Sequence, residues 1–297
     1  MRLLLLGGTG QVGTELRALA RPDEVLLVAP TRGELELQDA QAIARIVAGE
    51  PWSAVINAAA YTDVDRAESE EPAAFAVNAE APSRLAAETG RRGIPLVHIS
   101  TDYVFDGRKG APYVEQDAVA PLNAYGRSKL AGEHGVCGSN PRHVVLRTSW
   151  VYSPFGKNFV KTILRLAAER DRLTIVADQR GCPTAARDIA RACLDIALRC
   201  ASEPERARYG VYHFAGAGNA TWFEFAQAIV DMAADRLGRS PEVAPIRTID
   251  YPTPAVRAAD TRLDCAAILR AFGTQPQPWR HALAETIDRL LTKKDMP

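Results

Sequence analysis

Apolar runs and polar breaks alternate with a regular beat over the first half of the chain. "RLLLL" (2–6) is a short unbroken apolar run, as expected of a strand buried on both faces. A glycine-rich turn follows it, and "TELRALA" then has helical spacing. The unit repeats as "EVLLVA" (24–29) with "DAQAIARIVAG" (39–49), and as "SAVINAAA" (53–60) with a long helical stretch over 73–93. It repeats again as "PLVHIST" (95–101) with the helix that carries "NAYGRSK" (123–129), and a fifth strand "RHVVLRTSWVY" (142–152) follows. Pro82 complicates the helix over 73–93, because proline has no N–H to donate. The pattern predicts an α/β fold: a doubly wound, Rossmann-like parallel sheet with helices on both faces.

After residue 152 the alternation weakens. Helical spacing returns at 159–170, 187–200 and 221–235, with a strand "GVYHFAG" (210–216) and a Pro-rich stretch "RTIDYPTPAV" (247–256). A second, smaller α/β lobe is expected here. The helix-then-strand order at 187–216 predicts that the chain returns to the first sheet there. The division is then 1–152 with about 187–216 for a dinucleotide-binding domain, and 153–186 with 217–297 for a substrate lobe.

Composition narrows the function. Lys and Arg number 36 against 36 Asp and Glu, so no basic excess points to nucleic acid or a membrane surface. The five cysteines are odd in number and form no C-x-x-C pair, which argues against a disulfide framework or zinc site and fits a reducing, cytoplasmic location. The apolar run in "MRLLLLGG" is too short for a secretory segment, and no run reaches the ~18 residues of a membrane span. The five histidines are scattered and suggest no metal cluster.

Three places carry chemistry. Gly7, Gly10 and Gly13 form G-x-x-G-x-x-G between the first strand and the first helix. That is the setting in which backbone N–H groups at a helix N-terminus cradle a pyrophosphate. The second strand runs into "APTRGELE", where Arg32 suits a ribose 2′-phosphate and Glu36 is an alternative partner for a ribose hydroxyl. NADPH is favoured over NADH on this ground. The fourth strand ends "HISTDYVF", placing Ser100, Thr101 and Asp102 at a carboxyl end, where ligands of such sheets bind. Tyr125 and Lys129 lie one helical turn apart. That spacing alone also fits an ordinary helix surface. After a dinucleotide turn and a strand-end Thr it makes chemical sense: a phenol with a free pKa near ~10 needs help from a neighbouring ammonium and hydroxyl to exchange a proton.

Glycine turn, strand-end Thr and Tyr-x-x-x-Lys in this order resemble the extended short-chain dehydrogenase/reductase superfamily. "NAAAYTDVDRAESE", "STDYVFDG", "PLNAYGRSKLAGE", "LRTSWVYSPFGKNFVKTILRLA", "DQRGCPT" and "YPTPAVRAADTRLD" resemble, within it, the dTDP-4-dehydrorhamnose reductase family. The resemblance spans about residues 1–265. It implies NADPH-dependent reduction of the 4-keto group of dTDP-6-deoxy-L-lyxo-4-hexulose to dTDP-L-rhamnose, with a small sugar nucleotide as the partner. By position, Tyr125 would donate the proton, Thr101 would be its hydroxyl partner, and Lys129 would bind the nicotinamide ribose. Gly10, Gln11 and Val12 would line the pyrophosphate, and Ala59, Ala60 and Tyr61 another stretch of the cofactor. Asp102 and Trp150 would touch the sugar nucleotide, with core packing the alternative for Trp150. Asn158 and Arg257 would meet the diphosphate, with a capping or solvated role the alternative.

The chain also departs from the family. Val256 and Ala258 stand where an Arg and a Pro are common. Glu15, Arg187 and Arg289 match positions that are carboxylates in metal-bridged dimers of the family, and two of the three are basic here. No magnesium site is therefore expected, and the chain is expected to be a monomer or weak homodimer. Two other readings keep the same residues: a sugar-nucleotide 4-epimerase or 4,6-dehydratase, and a non-catalytic regulatory subunit of a methionine adenosyltransferase. The dehydratases carry a second acid after the Thr, where Tyr103 follows Asp102 here.

Overall fold

The computed structural model describes residues 1–292. The final residues of the 217–297 segment, 293–297, lie outside the described residues. Six strands form the main sheet: β1 (Arg2–Leu6), β2 (Leu26–Val28), β3 (Ala54–Asn57), β4 (Leu96–Thr101), β5 (His143–Thr148) and β6 (Gly210–His213). Their order is β6-β5-β4-β3-β1-β2 and every pairing is parallel. Leu3 to Leu6 are 0–2% exposed, because β1 is covered on both faces. Each such leucine contributes about 1.5–3 kcal/mol of burial. The helices flanking the sheet include α1 (Gln11–Ala18), α2 (Ala40–Gly49), α3 (Ala81–Arg91), α4 (Ala124–Ser139) and α5 (Ala186–Ser202).

Three elements differ from the sequence expectation. β2 shrinks to Leu26–Val28 because it is an edge strand with β1 as its one neighbour, and Leu26 is 49% exposed. The helix expected over 73–93 is broken: Glu71–Phe75 leads into a π-helical turn, Ala76–Glu80, before α3 begins. Pro82 is the reason. It cannot donate to the carbonyl of Asn78, and its ring would strike that carbonyl in a regular helix, so the turn before it widens. The fifth strand stops at Thr148 and resumes as Val151–Tyr152 beside Thr184–Ala185. Between the two pieces Trp150 has φ +46°, the one non-glycine residue with positive φ among the described residues.

A second core lies beyond the sheet. Helices Phe159–Glu169, Trp222–Leu237 and Trp279–Thr292 enclose Tyr152, Phe225, Ile229 and Leu283, next to the parallel strands Arg172–Val176 and Glu242–Ile246. α5 packs against α1, and Ile268 and Phe272 join the core under the main sheet. Among the described residues no helix is long and apolar enough to cross a membrane.

Candidate active site

The strand order reverses between β1 and β3, and their carboxyl ends open one crevice. Gly7 turns there at φ +79°, where a Cβ would lie 2.5 Å from the Ala59 nitrogen. Gly13 packs α1 onto the same turn: its Cβ would fall 2.1 Å from the Gly7 carbonyl oxygen. Gly10 caps α1 and donates its N–H to the Gly7 carbonyl at 3.1 Å, and no side chain caps the helix. The leading N–H groups of α1 therefore suit an anion. Val12 points into the core, whereas Gln11 accepts a hydrogen bond from the Asn158 amide at 2.9 Å. On the β3 side, Ala59 N–H donates to Asn57 at 3.1 Å and Tyr61 N–H donates to Asn78 at 2.8 Å, with Ala60 between them. The Asn78 amide in turn donates to Ser128 on α4 at 3.0 Å, tying the cofactor-side loop to the helix of Tyr125. Arg32 is exposed and pairs with Glu36 at 3.3 Å. Such an exposed pair is worth little and exchanges readily for another anion.

α4 starts at Asn123, whose side chain accepts from Gly126 N–H at 2.8 Å. Two glycines let this helix press on its neighbours. A Cβ at Gly126 would lie 2.3 Å from the Tyr103 carbonyl oxygen, and one at Gly132 would lie 2.0 Å from that of Asn78. Lys129 is 1% exposed, and its Nζ donates to the Ile99 carbonyl at 2.7 Å. Burial pulls its pKa down to about 8, against the pull of Glu133 in the other direction. Burial pushes the Tyr125 phenol above its ordinary value, opposed by a hydrogen bond with Thr101 and reinforced by Asp102 and Tyr103. A neighbouring ammonium is expected to ease a phenol towards its ionised form; in the folded protein desolvation is the dominant influence on Tyr125, and the phenol keeps its proton at neutral pH. The edge of Tyr103 meets the Tyr125 ring at a centroid distance of 5.4 Å.

Asp102 is fully buried and receives three hydroxyls: Thr101 at 3.2 Å, Ser149 at 3.0 Å and Thr261 at 2.6 Å. Burial raises its pKa to about 6 although all three hydrogen bonds favour the carboxylate. The Thr101 oxygen also accepts from Tyr103 N–H at 3.2 Å, which fixes the hydroxyl at the end of β4.

A cavity beside these groups is lined by Tyr103, Asn123, Trp150, Trp222, Arg257 and Thr261. Trp150 stacks on Trp222 at 3.5 Å with 6° between the planes. Trp150 is thus both a cavity wall and a packing partner of the second core. A left-handed backbone at a bulky residue is strained and is maintained by its surroundings. Gly181 is part of them, since a Cβ there would lie 2.5 Å from the Trp150 ring. Gly181→Ala is expected to weaken binding of a sugar nucleotide about tenfold and leave NADPH affinity within about twofold, as measured by calorimetry. Arg257 also lines the cavity and makes two hydrogen bonds of 2.7 Å to Asp65. Asn158 caps helix Phe159–Glu169 and spends its amide on Gln11 and the Ser153 carbonyl. Trp222 and Asp65 were not singled out in the sequence. Trp222 directly follows the capping Thr221 at a helix start, which was the one local signal available.

Glu15 is 2% exposed and takes two hydrogen bonds from Arg289, at 2.7 and 3.1 Å. Among the described residues no group of three or more His, Cys, Asp or Glu side chains could hold a metal ion.

The family model described as RmlD substrate binding domain matches residues 1–292. The chain belongs to this RmlD family. Its dTDP-4-dehydrorhamnose reductase relative from Sinorhizobium fredii is 43% identical over 291 residues, covering 98% of each chain. The reductase of that name from Burkholderia thailandensis is 44% identical, covering 99% of this chain and 100% of its own. Among solved structures, the dTDP-4-dehydrorhamnose reductase of Bacillus anthracis in complex with NADP is 32% identical with a TM-score of 0.89, covering 97% of this chain and 99% of that one. The reductase from Clostridium acetobutylicum is 34% identical with a TM-score of 0.90, covering 98% and 99%. A dTDP-glucose 4,6-dehydratase from Streptomyces venezuelae shares the fold at 21% identity and a TM-score of 0.78. Relatives carrying the reductase name thus match this RmlD chain from end to end.

Proposed function

We infer that the protein is an NADPH-dependent reductase acting on the 4-keto group of dTDP-6-deoxy-L-lyxo-4-hexulose, giving dTDP-L-rhamnose. The observation that carries this is the convergence of the Gly7–Gly13 cradle, the Thr101/Tyr125/Lys129 ridge and the cavity beside Asp102, in a chain whose full-length relatives are named for that reaction. The uncapped start of α1 and the glycine turn fit a pyrophosphate, and Arg32, once released from Glu36, fits a 2′-phosphate. NADH can enter the same cradle, with weaker binding. The bound nucleotide supplies the hydride for the carbonyl carbon. Tyr125 gives its proton to the carbonyl oxygen, and Thr101, turning its one hydroxyl hydrogen from Asp102, donates to the phenolate left behind. Lys129 keeps N–H donors beyond its bond to Ile99 for the nicotinamide ribose, and its positive charge favours the phenolate. Trp150 with Trp222 forms an apolar wall for the sugar ring, and Arg257 serves the diphosphate side. Asp102, buried and filled by three hydroxyls, positions Thr101 and Thr261 instead of touching the sugar, and Asn158, spent on its helix cap and on Gln11, steadies the cofactor side instead of meeting the diphosphate. Arg257 reaches it by exchanging Asp65 for phosphate oxygens.

Cofactor turnover separates this reading from the epimerases and dehydratases. A reductase consumes one NADPH for each carbonyl reduced and is purified free of tightly held nucleotide. Stoichiometric NAD retained through purification and unchanged after turnover would contradict it. Because Arg289 already neutralises Glu15, chelator treatment is expected to leave turnover and molecular mass unchanged, and we propose a monomer or weak homodimer. Light scattering with and without magnesium checks both.

A further inference from the structure

Beneath the Tyr125–Lys129 ridge lies a buried charge cluster with no role so far. Glu133 is the next residue on the same stripe of α4, one turn beyond Lys129, and is 2% exposed. Its carboxylate receives Arg147 through three contacts, Nε at 3.0 and 3.2 Å and Nη2 at 2.7 Å, and the Ser100 hydroxyl at 2.5 Å. Arg147 is 5% exposed, lies over the Phe105 ring at 5.2 Å, and its Nη1 has no hydrogen-bond partner. Ser100 and Arg147 sit opposite each other in the β4–β5 register, one residue before the Thr101–Thr148 pair. Three successive residues of β4 therefore hold three successive turns of α4: Thr101 meets Tyr125, Ile99 meets Lys129, and Ser100 meets Glu133.

Lys129 is buried with a neutral carbonyl as its hydrogen-bond acceptor. An ammonium in that position loses its proton easily unless a carboxylate lies near. We propose that Glu133 and Arg147 are positioning residues for the reaction: Glu133, held in place by Arg147, keeps the buried Lys129 ammonium charged, and the pair locks α4 to the strand end that bears Thr101. This rests on the assignment of Tyr125 and Lys129 given above. The other groups around Lys129 do not supply the charge. His98 on β4 is fully buried and held neutral by burial and by Lys129 itself. Tyr125 is protonated, and Asp102 beyond β4 is not among the groups that shift Lys129, whereas Glu133 is. Glu71 and Glu80, on the segment and π turn packed against α4, pair with Arg127 and Arg84 at the surface.

The two partners act on Lys129 with opposite sign, which gives a test that loosened packing cannot imitate. Turnover needs Lys129 charged, so kcat/KM for NADPH-dependent reduction falls as pH rises through its pKa of about 8. Glu133→Gln leaves Arg147 uncompensated and moves that fall to lower pH by about one unit or more. Arg147→Met leaves Glu133 uncompensated and moves it to higher pH. The double variant, which strands no charge, falls between Glu133→Gln and the parent. NADPH binding measured on each protein confirms that it is folded. A shift of both single variants in the same direction, or an unmoved double variant, overturns the proposal. If Tyr125→Phe and Lys129→Met keep full turnover, the catalytic assignment has failed instead.

Discussion

Tyr125→Phe is expected to lower kcat for carbonyl reduction by about 10²–10⁴-fold while NADPH affinity stays within about twofold. The change removes one oxygen from a ring that is 9% exposed and packed edge-on against Tyr103, so the fold keeps its shape. The lost hydroxyl is the proton source in the proposed reaction. Burial keeps it protonated at neutral pH, which suits the reducing direction, where the step begins with a phenol. As that phenol gives up its proton, the hydrogen bond with Thr101 takes up the charge, and in the proposed role the Lys129 ammonium adds to it. Phenylalanine offers no proton, and water is the only substitute. Stopped-flow mixing separates the outcomes: cofactor binding persists and the hydride step slows. Unimpaired turnover in this variant would remove Tyr125 from the mechanism.

Gly13→Ala is expected to cut NADPH affinity by at least about a hundredfold and to lower stability by about 1–3 kcal/mol. The added carbon would lie 2.1 Å from the Gly7 carbonyl oxygen and 2.7 Å from the Gly8 Cα, both backbone atoms that cannot swing aside. Relief requires α1 to lift from the turn, and that movement takes the helix N-terminus away from the pyrophosphate it would hold. Gly10 is a contrast within the same motif. Its nearest protein atom would be 3.4 Å from an added Cβ, an ordinary contact, so Gly10→Ala is expected to cost far less stability, its methyl meeting the pyrophosphate and not the turn. Equilibrium titration of NADPH with both variants, alongside thermal unfolding, reads the difference.

The main sheet was legible in the sequence because parallel strands buried on both faces give unbroken apolar runs, and β1 is the clearest of them. The cradle was legible because its glycines are demanded by contacts inside one strand–turn–helix unit. The pair Tyr125 and Lys129 was legible as a spacing and gained its meaning from the elements before it. What stayed hidden depends on partners far away in the chain. Arg257 meets Asp65 across 192 residues, and Thr261 meets Asp102 across 159. Glu133 and Arg147 are 14 residues apart, yet only the β4–β5 register brings Ser100 to the same carboxylate. Trp150 read as part of a strand, with a sugar-nucleotide contact or core packing as its role. Its left-handed backbone follows from the stack on Trp222 and from the missing side chain at Gly181, neither of which is local. The widened turn before Pro82 is the reverse case, where one residue type complicated an expected helix and the fold decided the form.

Nicotinamide absorbance follows the proposed reaction itself. The protein is mixed with NADPH and dTDP-6-deoxy-L-lyxo-4-hexulose. The NADPH band is expected to fall in step with formation of dTDP-L-rhamnose, one cofactor for each sugar nucleotide. An unchanged band, with binding of both ligands demonstrated in the same solution, would contradict it.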